Sequence, residues 1–379
     1  MRDFGEIGIT EAQIDLLEVA QKFCHANSPM ESVRALIEDE ITGYDVDVWK
    51  DIAALGWLGI AVPEKLGGSG LSLAEIVPVV EQMGRYMLHS PFISTSLAIQ
   101  AILAGATQAQ IDQILLDILG GAPATLALSE ANSDWDLNSI SATAMLQNNR
   151  YILSGTKTFV ADLLSAKWIV MSVKIDAETR LVILPRADIP DTAFRRETLI
   201  DETKRSYSLT LDGLTIDADM VMDRSKTSMA LKHIHLVANL LFAAEMTGAC
   251  QACIDYTVEY LGTRKQFGRL IGSFQALKHP TVDAFVDYQK ARSLLYSAAY
   301  SFMGNTPDLR KCEISTRMVA VQAKTALSFA ADRAIQFHGG FGFSYDCDAQ
   351  LYRRRAIFLS SQYGDGRYHK EKLAQMIFS

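Results

Sequence analysis

Arg264-Lys265-Gln266-Phe267-Gly268-Arg269, continued by Phe274-Gln275-Ala276-Leu277-Lys278-His279, decides how the rest of the chain reads. A second fragment, Gln336-Phe337-His338-Gly339-Gly340-Phe341-Gly342, follows after one long helical stretch. Arginine grips a pyrophosphate through bidentate, charge-assisted hydrogen bonds. Paired glycines let a ligand approach the backbone, because no Cβ stands in the way. Spacing alone leaves two readings open: a site for a phosphate-bearing cofactor, or a solvated helix end at Arg264 with a C-cap at Gly339-Gly340.

Outward from these fragments the pattern is helical from Met222 to the end. Leu240, Ala244, Gly248, Gln251, Ile254, Val258 and Leu261 run along one long helix ending at Gly262-Thr263-Arg264. A second is expected over Phe274 to Met303, stopped by Gly304-Asn305-Thr306-Pro307, a third over Leu309 to His338, and a last piece over His369 to Phe378. Small residues such as Ala243, Ala244 and Gly248 allow these helices to pack closely. Before them, Thr125–Ser129, Ser139–Met145, Arg150–Val160, Trp168–Val173, Leu181–Leu184 and Tyr207–Leu211 read as short strands, which suggests a small antiparallel barrel or sandwich. From Ile9 to about Ile118 the period is helical again, with Thr10 as an N-cap and Ser72 with Glu75 as a capping box. The expected fold class is α+β, mostly α: an N-terminal helical domain (1–122), a central small antiparallel β domain (123–222) and a C-terminal four-helix-bundle-like domain (223–379).

Hydrophobic residues make up 49% of the 379 and charged ones 21%, so a large core is available and disorder is not expected. A formal net charge of −8 argues against nucleic acid as a partner. The polar start, Met1-Arg2-Asp3-Phe4-Gly5-Glu6, is unlike a secretory signal, no apolar run is expected to span a membrane, and a cytoplasmic location is the default. Five scattered cysteines do not form a secreted disulfide framework, and Cys250 with Cys253 reads as two core thiols on one helix face. His233 and His235 lack metal-ligand helical spacing, and no metal is expected.

These fragments, in this order, resemble the signature regions of the acyl-CoA dehydrogenase flavoprotein family, and the resemblance covers nearly the whole chain. Trp57-Leu58-Gly59-Ile60-Ala61-Val62-Pro63-Glu64-Lys65-Leu66-Gly67-Gly68-Ser69-Gly70 is similar to that family's N-terminal Pro-Glu-x-x-Gly-Gly-x-Gly turn. The resemblance implies FAD as cofactor and α,β-desaturation of an acyl-CoA thioester. It places Arg264, Gln266 and Phe267 at the FAD diphosphate, Phe274 and Gln275 at the next contact, and Gln336, Gly339 and Gly340 at the adenosine end. Leu128 and Ser129, in Leu126-Ala127-Leu128-Ser129-Glu130, would face the flavin ring. It further implies an electron-transfer flavoprotein as acceptor. It also implies an oligomer in which these groups reach a neighbouring subunit's flavin, either a homomeric dimer or tetramer or a heterotetramer with a second acyl-CoA dehydrogenase subunit.

The chain departs from the family at several places. Ala131-Asn132-Ser133-Asp134 is shorter than the family's loop and lacks its glycines; Ala161 replaces a threonine, while Phe159 keeps an aromatic that stacks on a flavin. Ungapped alignment through Arg354-Arg355-Ala356 puts Tyr363-Gly364-Asp365-Gly366 where Glu-Gly-Thr is usual, and the family's alternative base position falls at Ala238, followed by Asn239. Three explanations stand open: Asp365 as the base after a small shift of its loop, Glu245 as the base, or a degenerate subunit completed by a partner. Readings outside this reaction are a superfamily flavin oxidase or monooxygenase, and a structural subunit that only completes a partner's FAD site.

Overall fold

The computed structural model describes residues 9–39, 43–131, 135–304 and 307–378. The expected loop at Asn132-Ser133-Asp134 and the stop at Asn305-Thr306 therefore lie outside the described residues. In chain order the first helices are α1 (Glu11–Asn27), α2 (Met30–Glu38), α3 (Val46–Ala54), α4 (Leu73–Arg85), α5 (Phe92–Gly105) and α6 (Gln108–Leu119). The strands β1 (Ala124–Ala127), β2 (Thr143–Gln147), β3 (Arg150–Ser154), β4 (Thr156–Ala161), β5 (Trp168–Ile175), β6 (Glu178–Pro185), β7 (Phe194–Arg196), β8 (Ser206–Thr210) and β9 (Thr215–Asp217) follow. Last come α7 (Thr227–Thr263), a hairpin of β10 (Lys265–Gln266) and β11 (Arg269–Leu270), then α8 (Gln275–Tyr300), α9 (Leu309–His338), α10 (Asp348–Ser360) and α11 (Gly366–Phe378).

The helix starts follow local chemistry. Thr10 Oγ1 accepts from Gln13 N while Gln13 Oε1 accepts from Thr10 N, and Ser72 and Glu75 make the same reciprocal arrangement at α4. Contacts divide the chain into two compact units that cut across the divisions at 122 and 222. Among the described residues, one gathers those within 9–35, 72–88 and 239–378 and the other those within 36–71 and 89–238, so α7 belongs to both.

The second unit holds two sheets. One runs β1-β5-β2-β3-β9 with β6 also on β5, and the other runs β4-β8-β7. Most pairs are antiparallel as expected, but β1 and β2 each meet β5 in parallel. The expected single strand Arg150–Val160 is two, because Gly155 takes φ +119° and redirects the chain. Leu153, Val160, Met171, Val182, Tyr207 and Leu209 lie in the core packed by both sheets. In the same unit Gly68 closes the glycine-rich loop: a Cβ there would sit 2.2 Å from Val62 O.

The first unit is helical. α8 packs along α9, and α10 and α11 also pack on α9. α4 crosses α7 at near backbone contact, since a Cβ on Gly248 would lie 1.7 Å from Glu81 O and one on Gly84 2.1 Å from Glu245 O. Arg292 Nε and the Tyr296 hydroxyl both donate to Glu81, at 2.8 and 2.6 Å, tying α8 to α4. The expectation of no membrane-length apolar run needs correction: Arg224–Thr263 is long and apolar enough by length and composition. Of its most apolar window 83% is buried inside the protein, the placing of a core helix that is apolar on every side. Cys24, Cys250, Cys253, Cys312 and Cys347 are all buried free thiols.

Candidate functional site

The stretch around Arg264–Arg269 folds as a projecting hairpin in the first unit. α7 ends at Thr263, Gln266 pairs with Arg269, and the two turn residues, Phe267 and Gly268, have φ +52° and +77°. Positive φ at both central positions is the primed turn that suits a two-residue hairpin. Phe267 is 90% exposed and meets the Phe274 ring edge-on at 6.1 Å. The Arg269 guanidinium lies 4.0 Å over that same ring. Arg264 and Gln266 are exposed beside it, and Gln275 opens α8.

The twin-glycine turn belongs to the same surface. α9 ends at His338, whose ring is sandwiched by Tyr256 at 4.9 Å and Tyr260 at 4.2 Å. Phe337 joins Leu261 and Ile271 in a small cluster with Tyr260, Phe274 and Leu277 packed against it. One apolar plug therefore joins the Arg264 hairpin to the Gln336–Gly340 turn. Gly339 takes φ +63°, and a Cβ added at either glycine meets nothing within 4 Å. The backbone there is open to an approaching ligand, which fits the diphosphate and adenosine of FAD.

In the second unit, Leu128 and Ser129 leave the end of β1. Ser129 O accepts from Thr158 N at 2.9 Å, and Leu128 O accepts from Ser172 Oγ at 3.4 Å. Behind them Lys157, 0% exposed, donates to Glu130 at 2.7 Å and to Ser172 Oγ at 3.1 Å. Glu130 also accepts from Ser141 N, Ser141 Oγ and Ala142 N. Burial works against both charges, pulling Lys157 down and pushing Glu130 up; the hydrogen bonds into the carboxylate outweigh it and hold Glu130 at about 2. The β4–β8 register breaks between Lys157 and Val160, and Phe159 is turned outward there, 59% exposed at φ +54°. An exposed ring beside a fixed strand end suits stacking on a flavin.

The loop aligned with the family's base carries no ready base. Tyr363 packs 5.8 Å from Phe242, and burial pushes its phenol far up, so it stays neutral. Asp365 Oδ1 accepts from Tyr368 N at 2.7 Å, an N-cap on α11. Lys324 Nζ donates to Gln362 O at 3.1 Å and to Gly364 O, which pins the loop from below. Glu245 is deeply buried against Arg355 Nη1 at 2.6 Å, and Arg355 is 0% exposed, so that carboxylate is a structural ion pair. Sequence reasoning did not find Arg355 as its partner, because the two stand far apart in the chain and only α10 brings them together.

Comparison with known proteins gives the family. The models of the acyl-CoA dehydrogenase N-terminal and C-terminal domains match residues 10–122 and 237–377. The acyl-CoA dehydrogenase IpdE2 of Mycobacterium tuberculosis is 30% identical over 326 residues, 86% of this chain and 84% of that protein. The chain belongs to the acyl-CoA dehydrogenase family. Its relative of the same name in Mycolicibacterium smegmatis is 27% identical over 364 residues, covering 96% of this chain and 98% of the relative. The solved Tcur3481-Tcur3483 steroid ACAD aligns with a TM-score of 0.85 at 25% identity, over 97% of this chain and 98% of that one. This acyl-CoA dehydrogenase family member is thus an FAD-dependent oxidoreductase with the family's mostly helical fold around a central sheet region.

Proposed function

We propose that this chain works as one subunit of a heteromeric acyl-CoA dehydrogenase, holding part of the FAD site and leaving removal of the α-proton to a carboxylate of its partner. FAD, when bound, supplies the acceptor for the hydride lost from the β-carbon of an acyl-CoA thioester. Arg264 and Gln266 would hold the diphosphate with Phe267 alongside, Phe274 and Gln275 the adjoining atoms, and Gln336, Gly339 and Gly340 the adenosine. Leu128 and Ser129 would face the ring, with Phe159 against it. The hairpin and the glycine turn of one subunit would serve a flavin seated on the strand end of another, which makes an oligomer necessary. An electron-transfer flavoprotein is the acceptor this reading expects.

One observation carries the subunit reading: both carboxylates considered for the base are otherwise engaged, and the position aligned with the family's base is not a carboxylate. Asp365 caps α11, Glu245 is locked on Arg355, and Tyr363 is a neutral phenol. Losing a general base costs on the order of 10² to 10⁴ in rate, so a homomer of this chain would be a slow desaturase. The two component names of the Tcur3481-Tcur3483 steroid ACAD support the reading. The test is anaerobic titration with acyl-CoA of the chain purified alone and of the chain co-expressed with candidate second subunits, followed by flavin absorbance. Bleaching fast only in a two-component complex is the expected result. Fast bleaching of the homomer would overturn the reading, and Asp365→Asn in that homomer would then decide whether Asp365 gives up its cap to act as base.

A further inference from the structure

Where the end of α9 faces α10 there is a cleft of about 310 Å³, lined among others by Gln336, Phe343, Gln350, Arg353 and Arg354. That volume is at the lower end of small-molecule sites and suits a single nucleoside better than a whole dinucleotide. Gln350 is 5% exposed, yet neither its Nε2 nor its Oε1 has a hydrogen-bond partner. A buried amide with both groups unmet weakens the fold. It therefore asks for a ligand offering one acceptor and one donor side by side. The N7 and N6-amino group of adenine present that pair, the one a glutamine amide reads bidentately in nucleic acids. Two guanidiniums stand at the rim in fixed positions: Arg353 is held by Asp332 at 2.9 Å, and Arg354 lies 4.8 Å over the Tyr345 ring. Arginines so placed are suited to phosphate oxygens.

We infer that Gln350 is a base-reading residue, its amide pairing with the N6 and N7 edge of an adenine that belongs to an adenosine diphosphate. The inference rests on the proposed function, since FAD is the first source of that adenosine diphosphate; the nucleotide of coenzyme A is the second, and the same edge serves both. Gln350 carries no part of the sequence-level site, because a glutamine in an arginine-rich helix gives no motif.

The test replaces Gln350 by Met, which keeps the length and removes both polar groups. FAD, FMN and coenzyme A are each titrated into the purified, flavin-stripped oligomer, and the ligand-free melting temperature is recorded. The expected result has three parts: FAD dissociation weakened roughly tenfold or more, FMN unchanged because it lacks adenosine, and ligand-free melting raised because an unmet amide is gone. A loss confined to coenzyme A would support the same adenine contact with the thioester's nucleotide as its source. Unchanged affinity for both, or lowered melting with unchanged affinity, would overturn the inference and leave Gln350 as packing. Should the Met variant not fold, Gln350→Glu, which cannot donate to N7, is expected to give the same weakening. Wild-type oligomer that takes up no FAD with or without a second subunit would defeat the proposed function instead; the coenzyme A titration then decides Gln350 by itself.

Discussion

Replacing Lys157 by Met removes an ammonium that has no solvent exposure and sits 2.7 Å from Glu130. Breaking a buried ion pair by deleting one partner costs about 3–5 kcal/mol. Glu130 keeps its hydrogen bonds from Ser141 N, Ser141 Oγ and Ala142 N, which places the expected loss near the lower end, about 3 kcal/mol. All four tryptophans, Trp49, Trp57, Trp135 and Trp168, belong to the unit that contains this pair, so urea unfolding followed by tryptophan fluorescence reports that unit. The double variant Glu130→Gln with Lys157→Met should recover at least about 1 kcal/mol, because no charge is then left buried alone. The acid limb gives an independent reading. Glu130 is held at about 2 in the fold against about 4.3 unfolded, so its contribution is complete above that unfolded value and is lost as pH falls toward 2. Without Lys157 the folded value rises, so the contribution is smaller and its loss, still starting at the unfolded value, is over at a higher pH. A single variant costing under about 1 kcal/mol, with an unshifted acid limb, would refute the assignment.

Other outcomes follow from the helical unit. Gly248→Ala, with its Cβ forced onto Glu81 O, should destabilise by at least about 1–3 kcal/mol, seen as a clear fall in the melting temperature by circular dichroism; unchanged melting would contradict the close crossing. Asp365→Asn keeps a good cap and should change stability by under about 0.5 kcal/mol, whereas Asp365→Ala should lose about 1. Equal melting of the two would remove the capping role. Burial holds Lys324 at about 8, with Asp365 pulling the other way, against about 10.4 unfolded. Its penalty is therefore full below pH 8 and fades as pH rises toward 10, so stability attributable to Lys324 should increase over that window and Lys324→Met should flatten it. Identical slopes for wild type and variant would contradict this.

What was legible in the chain was what local chemistry determines. The capping boxes at Thr10 and Ser72 and the bounds Leu309–His338 of α9 follow from side-chain spacing and terminators. The helix α10 was not legible because its buried face includes Gln350 and Arg355, polar residues that an apolar period does not register. The parallel meeting of β1 with β5 was hidden because nothing local states which distant strand a short apolar run will join. The residues proposed to hold the cofactor stand in the sequence as two separate motifs; their union through Phe337, Leu261 and Ile271 needed the packing of α7 against the end of α9. The Glu245–Arg355 pair, which turns a candidate base into a structural carboxylate, depended in the same way on a long-range contact.

The most direct measurement is the FAD affinity of Arg264→Ala in the assembled oligomer, with FMN titrated in parallel. A charge-assisted hydrogen bond to the diphosphate is worth about 1.5–3 kcal/mol, so FAD should bind roughly 10- to 100-fold more weakly while FMN, which lacks the diphosphate, binds as before. Equal loss for both flavins, or no loss for either, would contradict a dinucleotide held by the Phe267 hairpin and the Gly339-Gly340 turn.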